Sequence, residues 1–239
     1  MKATKSGNFN PVPLPEPQTT LARCYSIIDI GTVPNFYQNK LTGHVRKIYI
    51  TWEFPELLAI FNEEKGEEPF VIGLELTAST SENSNLAKLI SQWRNKPLTD
   101  TEQEGFDPSI MIGKTAFISF IHKRRPKFEG KDVTKITNEN TNLKFNGIMP
   151  KPKTIEAPPN RNSYMNWDWD KVAVESFEVH KATFEKIPKW LQKKMAESKE
   201  FKEYSNGYKV EGVEESTEDA PPTFTATTGT APKTVEGEW

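Results

Sequence analysis

The chain has 239 residues, 35% of them hydrophobic and 27% charged, and its 31 Lys and Arg against 33 Asp and Glu leave a net charge of -2. A single cysteine, Cys24, excludes a disulfide framework within one chain and a cysteine zinc site, and the scattered His44, His122 and His180 make no metal-binding pattern. The apolar fraction is below that of an ordinary globular chain, which predicts a compact core over part of the sequence with poorly ordered ends.

Residues 1–20, rich in Pro, Thr, Ser and Asn, read as a flexible arm. They lack an apolar signal core, and no later segment is long enough to span a bilayer, so a soluble cytoplasmic protein is expected. "LARCYSIIDIG" (21–31) alternates and stops at Gly31, as a strand would. "TVPNFYQNKLTG" (32–43) reads as a long connection. "HVRKIYITWEFP" (44–55) is the clearest strand: Ile48, Ile50, Trp52 and Phe54 share the core parity, while Lys47, Tyr49 and Thr51 share the other. "LLAIFNEEKGEEP" (57–69) reads as a short helix or a hairpin loop, and "FVIGLELTAST" (70–80) as a third strand.

The period then changes. In "SENSNLAKLISQWRNK" (81–96), Leu86, Leu89, Ile90 and Trp93 fall at i, i+3, i+4 and i+7 behind Ser and Asn cap candidates, which predicts an amphipathic helix. Thr99 before Glu102 is a capping signature for a second, shorter helix. "KTAFISFIHK" (114–123) and "KDVTKITNENT" (131–141) read as strands four and five, joined by the "RRPKFEG" turn. The pattern fails after that. Residues 151–183 read as a Pro- and Asn-rich linker, 184–204 as a short helical segment with a partial stripe of Trp190, Leu191, Met195 and Phe201, and 205–239 as a disordered acidic tail. The resulting expectation is a mostly β chain with one or two helices. Its domain, 21–150, would be an OB-fold: a five-stranded Greek-key barrel with a helix between strands three and four. A sheet-plus-helix layer has similar elements and stays open.

Signature motifs of phosphate-binding loops, dinucleotide folds, zinc proteases and serine hydrolases are absent from the sequence. Cys24 sits within a strand and reads as a buried structural thiol. Asp168 and Asp170 of "NWDWD" offer only a remote metal-binding possibility. No catalytic residue, metal or cofactor is assigned.

Charge placement is more informative. Between residues 110 and 151, Lys114, Lys123, Arg124, Arg125, Lys127, Lys131, Lys135, Lys144 and Lys151 outweigh Glu129, Asp132 and Glu139. After Tyr208 the balance reverses. Single-strand binding needs cations that track phosphates and rings on which bases stack. An OB barrel places both on its strand 2–3 face and flanking loops. The candidate residues are Arg23 and Tyr25 on the first strand, Lys47 and Tyr49 on the second, Tyr37 in the loop between, His122, Lys123, Arg124, Arg125 and Lys127 at the strand 4–5 turn, and Lys135 just beyond. Each also has a plainer reading: the tyrosines as cross-strand partners, the basic turn as a solvated hairpin tip.

"LARCYSIIDIGT", "KIYITWEFP", "NLAKLISQWRNKPLTDTEQEGFDPSIMIGKTAFISFIH" and "FEKIPKWLQKKMAES" together resemble a family of tailed-bacteriophage proteins encoded among replication genes and described as single-stranded-DNA-binding or replication-associated proteins with an OB-like domain. The resemblance covers roughly 21–140 and 184–198, and carries over no DNA contacts residue by residue. It implies a non-catalytic protein of phage DNA replication or recombination that coats single-stranded DNA and recruits partner proteins through its acidic tail. A phage interaction protein that inhibits a host enzyme through the same β domain is the rival reading. A divalent-metal nuclease is a further one.

Overall fold

The computed structural model describes residues 11–212. Residues 1–10 of the expected arm and the greater part of the expected acidic tail lie outside these. The fold is mostly β. A six-stranded sheet is built from β1 (Gln18–Tyr37), β2 (Lys40–Asn62), β3 (Gly66–Thr77), β4 (Thr115–Arg124), β5 (Thr141–Pro150) and β6 (Met165–Trp167). The path runs β3-β2-β1-β4-β5 with antiparallel neighbours, and β6 adds to β1 in parallel. β3 and β5, the two ends of the path, approach each other across the opening. Helices α1 (Asn85–Arg94) and α2 (Asp100–Gly105) lie between β3 and β4. Four more, α3 (Trp169–Glu175), α4 (Phe177–Phe184), α5 (Lys189–Met195) and α6 (Lys199–Tyr204), follow β6.

The expected connection at 32–43 is instead the tip of a long hairpin. Gln38 and Asn39 both take positive φ, 49° and 62°, the conformation of a two-residue turn whose twist matches the strands it joins. Residues 57–62 and 66–69 also extend as strand, on either side of a hairpin turn at 63–65, as the hairpin alternative expects. β2 bulges between Phe54 and Leu58, where Pro55 supplies no N–H to the ladder, and turns back at Gly66. The sheet's inner face carries Ile48, Ile50, Trp52 and Phe54, each at most 5% exposed, as their parity predicts. α1 closes this core with Leu86, Leu89, Ile90 and Trp93. Ser84 caps it by accepting from Ala87 N, and Asn95 ends it in the left-handed region.

Strand five lies elsewhere than the sequence predicts. Residues 131–140 form a loop, and β5 begins at Thr141. Asn140 explains the difference. Its Nδ2 donates to Lys135 O, and its Oδ1 accepts from Thr137 N and Thr141 Oγ1. Such local side-chain bonds compete with a strand ladder. The second half of the expected arm is held against this loop. Val12 is buried, Val12 N donates to Asn138 Oδ1, Leu14 N donates to Ile136 O, and residues 18–20 already belong to β1.

A larger difference concerns 151–183, expected to be a linker. Trp167 and Trp169 are 2% and 0% exposed and anchor a second core. They sit two residues apart and share a face because Asp168 between them is extended, capping α3 by accepting from Asp170 N. Ile28, Ile30 and Val33 of β1 face this core, which Phe177, Phe184, Leu191 and Phe201 complete. β1 therefore serves two cores. Its edge pairs with β4 up to Arg23 and with β6 from Ser26 onward, and bulges at Cys24/Ser26 and Asp29/Gly31 bend it between them. The expected helix at 184–204 is two helices, broken before Ser198, which caps α6 by accepting from Phe201 N. Tyr208 and Val210, placed in the tail by their sequence, pack on the second core.

Candidate nucleic-acid interface

Outward parity on β1, β2 and β3 sets Tyr25, Tyr49, Thr51, Val71 and Gly73 side by side. They floor a groove of about 710 Å³. One wall is the β4–β5 side, with Arg125, Asn138, Asn142 and Leu143; the other holds Pro188 and Trp190, at the start of α5. Tyr25 is the extra residue of the first β1 bulge. Burial pushes its hydroxyl up to about 12, with Glu53, Tyr49 and Cys24 adding to the rise, so near neutral pH it stays an uncharged donor. Tyr49 meets Trp190 edge to face, with ring centroids 5.1 Å apart and planes at 80°. A Cβ at Gly73 would lie 1.9 Å from Tyr49 Oη, so the phenol occupies the space that any other residue at 73 would fill. The buried Nε of Arg125 has no hydrogen-bond partner.

The groove gathers Tyr25, Tyr49 and Arg125 from the expected set. Other members are placed differently. Arg23 is only 8% exposed, and its guanidinium donates to Pro158 O, under the segment that crosses the sheet there. Lys47 pairs with Glu75 at 2.8 Å. Tyr37 is exposed at the tip of the β1–β2 hairpin, outside the groove walls. His122 Nε2 lies 2.8 Å from Pro15 O. Arg124 donates to Asn140 Oδ1 and Thr141 Oγ1 at 3.2 and 3.1 Å. Lys123, Lys127 and Lys135 are exposed, with Lys127 over the Phe128 ring at 4.8 Å. The β4–β5 connection thus carries an exposed cationic rim beside the groove.

Arg23 lies under the 158–162 segment because of Glu53, its neighbour on β2. This fully buried carboxylate accepts from Arg161 N, Asn162 N and Asn162 Nδ2 at 2.9, 2.7 and 2.8 Å. Cys24 is buried, and burial pushes its thiol up to about 12, which removes nucleophilic character near neutral pH. Asp168 caps a helix and Asp170 pairs with Arg46, which also bonds Asp29. Among the described residues, no three His, Cys, Asp or Glu side chains are placed to hold a metal ion, and no helix is long and apolar enough to cross a membrane.

The sequence pattern puts Trp190 in the apolar stripe of Leu191 and Met195 and does not single out Gly73, whereas Trp190 is exposed and both residues line the groove. A signal for the tryptophan existed. Leu191 and Met195 are spaced for one helix face, and Trp190, adjacent to Leu191, falls off it. Comparisons of the chain with protein-family models, with curated proteins and with solved structures find no match.

Proposed function

We propose that the chain is a non-catalytic single-stranded DNA-binding protein, with the groove over Tyr25, Tyr49 and Gly73 as the path of the strand. The observation that carries the reading is the convergence of Tyr25, Tyr49, Trp190 and Arg125 on one open groove beside a cationic rim. Rings take bases of any identity, and cations take phosphates regardless of sequence. The barrel is of the OB type on this reading. The strand order β3-β2-β1-β4-β5, with α1 between β3 and β4, supports that assignment, as does a ligand groove on the outer β2–β3 face next to the β4–β5 loop. Replication or recombination of phage DNA, in the host cytoplasm, is the setting that the sequence resemblance supplies. Recruitment of partner proteins is assigned to the acidic residues after Tyr208.

Fluorescence anisotropy with labelled oligo(dT) and with a duplex of equal length, at two salt concentrations, tests this. The single strand should bind more tightly than the duplex, and log Kd should change with log salt by about 0.7 per phosphate contact. Replacing Lys123, Arg125 and Lys127 together by Ala should weaken binding and flatten that slope. Absence of oligonucleotide binding at low salt would reject the reading in favour of a protein-binding module. Strand cleavage in magnesium would reject it in favour of a nuclease.

A further inference from the structure

Five of the six tryptophans of the chain lie within the described residues, and they divide sharply. Trp52, Trp93, Trp167 and Trp169 are between 0% and 4% exposed; Trp190 is 53% exposed. A large apolar ring left half in water is informative when rigid neighbours hold it at a groove. Here they do. Leu191 and Met195 are buried in the second core, on the other side of α5. Gln192, fully buried, donates through Nε2 to Phe184 O and Ile187 O and so fixes the α4–α5 turn. Lys194 reaches across to Glu75 on β3. With its helix fixed at three points, Trp190 rests against Tyr49 and faces the groove.

The same geometry changes the role of Tyr49. Its hydroxyl end lies against Gly73, and its ring also touches Trp190. Much of the phenol is therefore committed to contacts within the protein. Trp190 keeps half its surface for a ligand. Lys186, Lys189 and Lys193 are exposed on the same α4–α5 stretch and leave that part of the surface cationic.

We propose that Trp190 is the ring on which a nucleobase of the single DNA strand stacks, and that Tyr49, seated over Gly73, is the positioning residue that holds it. The proposal rests on the single-strand reading above and adds that the helical part of the chain supplies one wall of the site.

The test uses full-length protein carrying Trp239→Phe, which removes the tryptophan outside the described residues, and unlabelled oligo(dT) of about 20 nucleotides, longer than one OB-type site. Tryptophan emission should be quenched on binding, and Trp190→Phe should abolish the quench while weakening affinity modestly. Trp190→Ala should weaken binding by about 5- to 140-fold, the range of one base–aromatic stack, with the salt slope unchanged. Tyr49→Ala should reduce both affinity and quench, and Tyr49→Phe should restore both. Equal affinity of wild type and Trp190→Ala, or a quench that survives in Trp190→Phe, overturns the assignment while leaving the single-strand reading intact. No binding by the wild type overturns both. Thermal unfolding of each variant checks folding, and should Trp190→Ala unfold, the Trp190→Phe quench decides.

Discussion

Glu53 shows how strand parity fixes the face of a side chain without fixing its surroundings. Period-2 alternation places it on the outer side of β2, with Tyr49 and Thr51, and the structure has it there. Outer normally means wet, yet Glu53 is fully buried because residues 158–162 fold over it and donate to its carboxylate. Arg23 is covered in the same way, which is why a residue with the parity of a ligand contact is not available as one. Nothing local in "ARCYS" announces a cover that comes from more than a hundred residues away; |i−j| for the bond to Pro158 is 135. The carboxylate carries a prediction. Glu53→Ala leaves its N–H donors without an acceptor, and each orphaned buried donor costs about 1–3 kcal/mol. A stability loss of about 3 kcal/mol is expected for Glu53→Ala, and a smaller one for Glu53→Gln, which keeps an acceptor. Urea unfolding midpoints measure both. Limited proteolysis should also find the 158–162 segment more readily in the Ala variant. An unchanged midpoint and cleavage rate would show that this carboxylate does not hold the segment down.

At the scale of elements, the regular ones were legible and the irregular ones were not. Apolar spacing located α1, and the Thr99–Glu102 capping box located α2. β5 starts later than its composition suggests because Asn140 diverts its neighbours into a loop, and the 37–40 hairpin turn is hard to see because Asn39 favours positive φ but Gln38 does not. α5 is the element that matters most for the groove, and its attachment to β3 has a pH dependence. Glu75 receives Lys47 at 2.8 Å and Lys194 from α5. Burial works against its charge, but the bonds from Lys194 and Lys47 outweigh burial and hold its pKa below the ordinary 4.5. A carboxyl held lower in the folded state than in the unfolded one contributes its full stabilisation above the unfolded value. That contribution is lost as the pH falls through the folded value. The tie between α5 and β3 should therefore persist at neutral pH and loosen only in acid below about pH 4.5. The pair is partly exposed, so the effect is local rather than global. Hydrogen exchange followed by mass spectrometry should show protection of 189–195 falling in Glu75→Gln at pH 7, with little change in melting temperature. Equal protection in wild type and variant would mean that the second core alone fixes α5.

For the whole molecule, the boundary between sheet domain and appendage is the point where sequence pattern and structure part most. Composition marks 151–183 as a linker because Pro and Asn dominate its first half, and composition weighs two tryptophans lightly. Packing weighs them heavily. Trp167 and Trp169 bury almost completely, and they do so against Ile28 and Ile30, one residue over in register from the Ile27 that faces the first core. The run "SIIDI" reads as one alternating strand, whereas it is a strand with both faces claimed, by different cores. Such a strand cannot belong to a sheet domain that folds without the helical part. A chain ending at Pro150 would lose β6 and every later helix, exposing Ile28, Ile30 and Val33, now 1%, 0% and 3% exposed. Burying a large aliphatic side chain is worth about 1.5–3 kcal/mol, so the three together approach about 5–9 kcal/mol as an upper bound. The total stability of a domain is only about 5–15 kcal/mol. Arg23 and Glu53 would lose their covering segment as well. The truncated chain is therefore expected to show no cooperative thermal transition by circular dichroism and to bind a hydrophobic dye, while the full chain unfolds in a single step. A truncated chain that melts cooperatively at the full-length temperature would show that the sheet domain stands alone. Trp190 would then belong to a separable module, and the groove would be a site assembled from two parts rather than one built into a single fold.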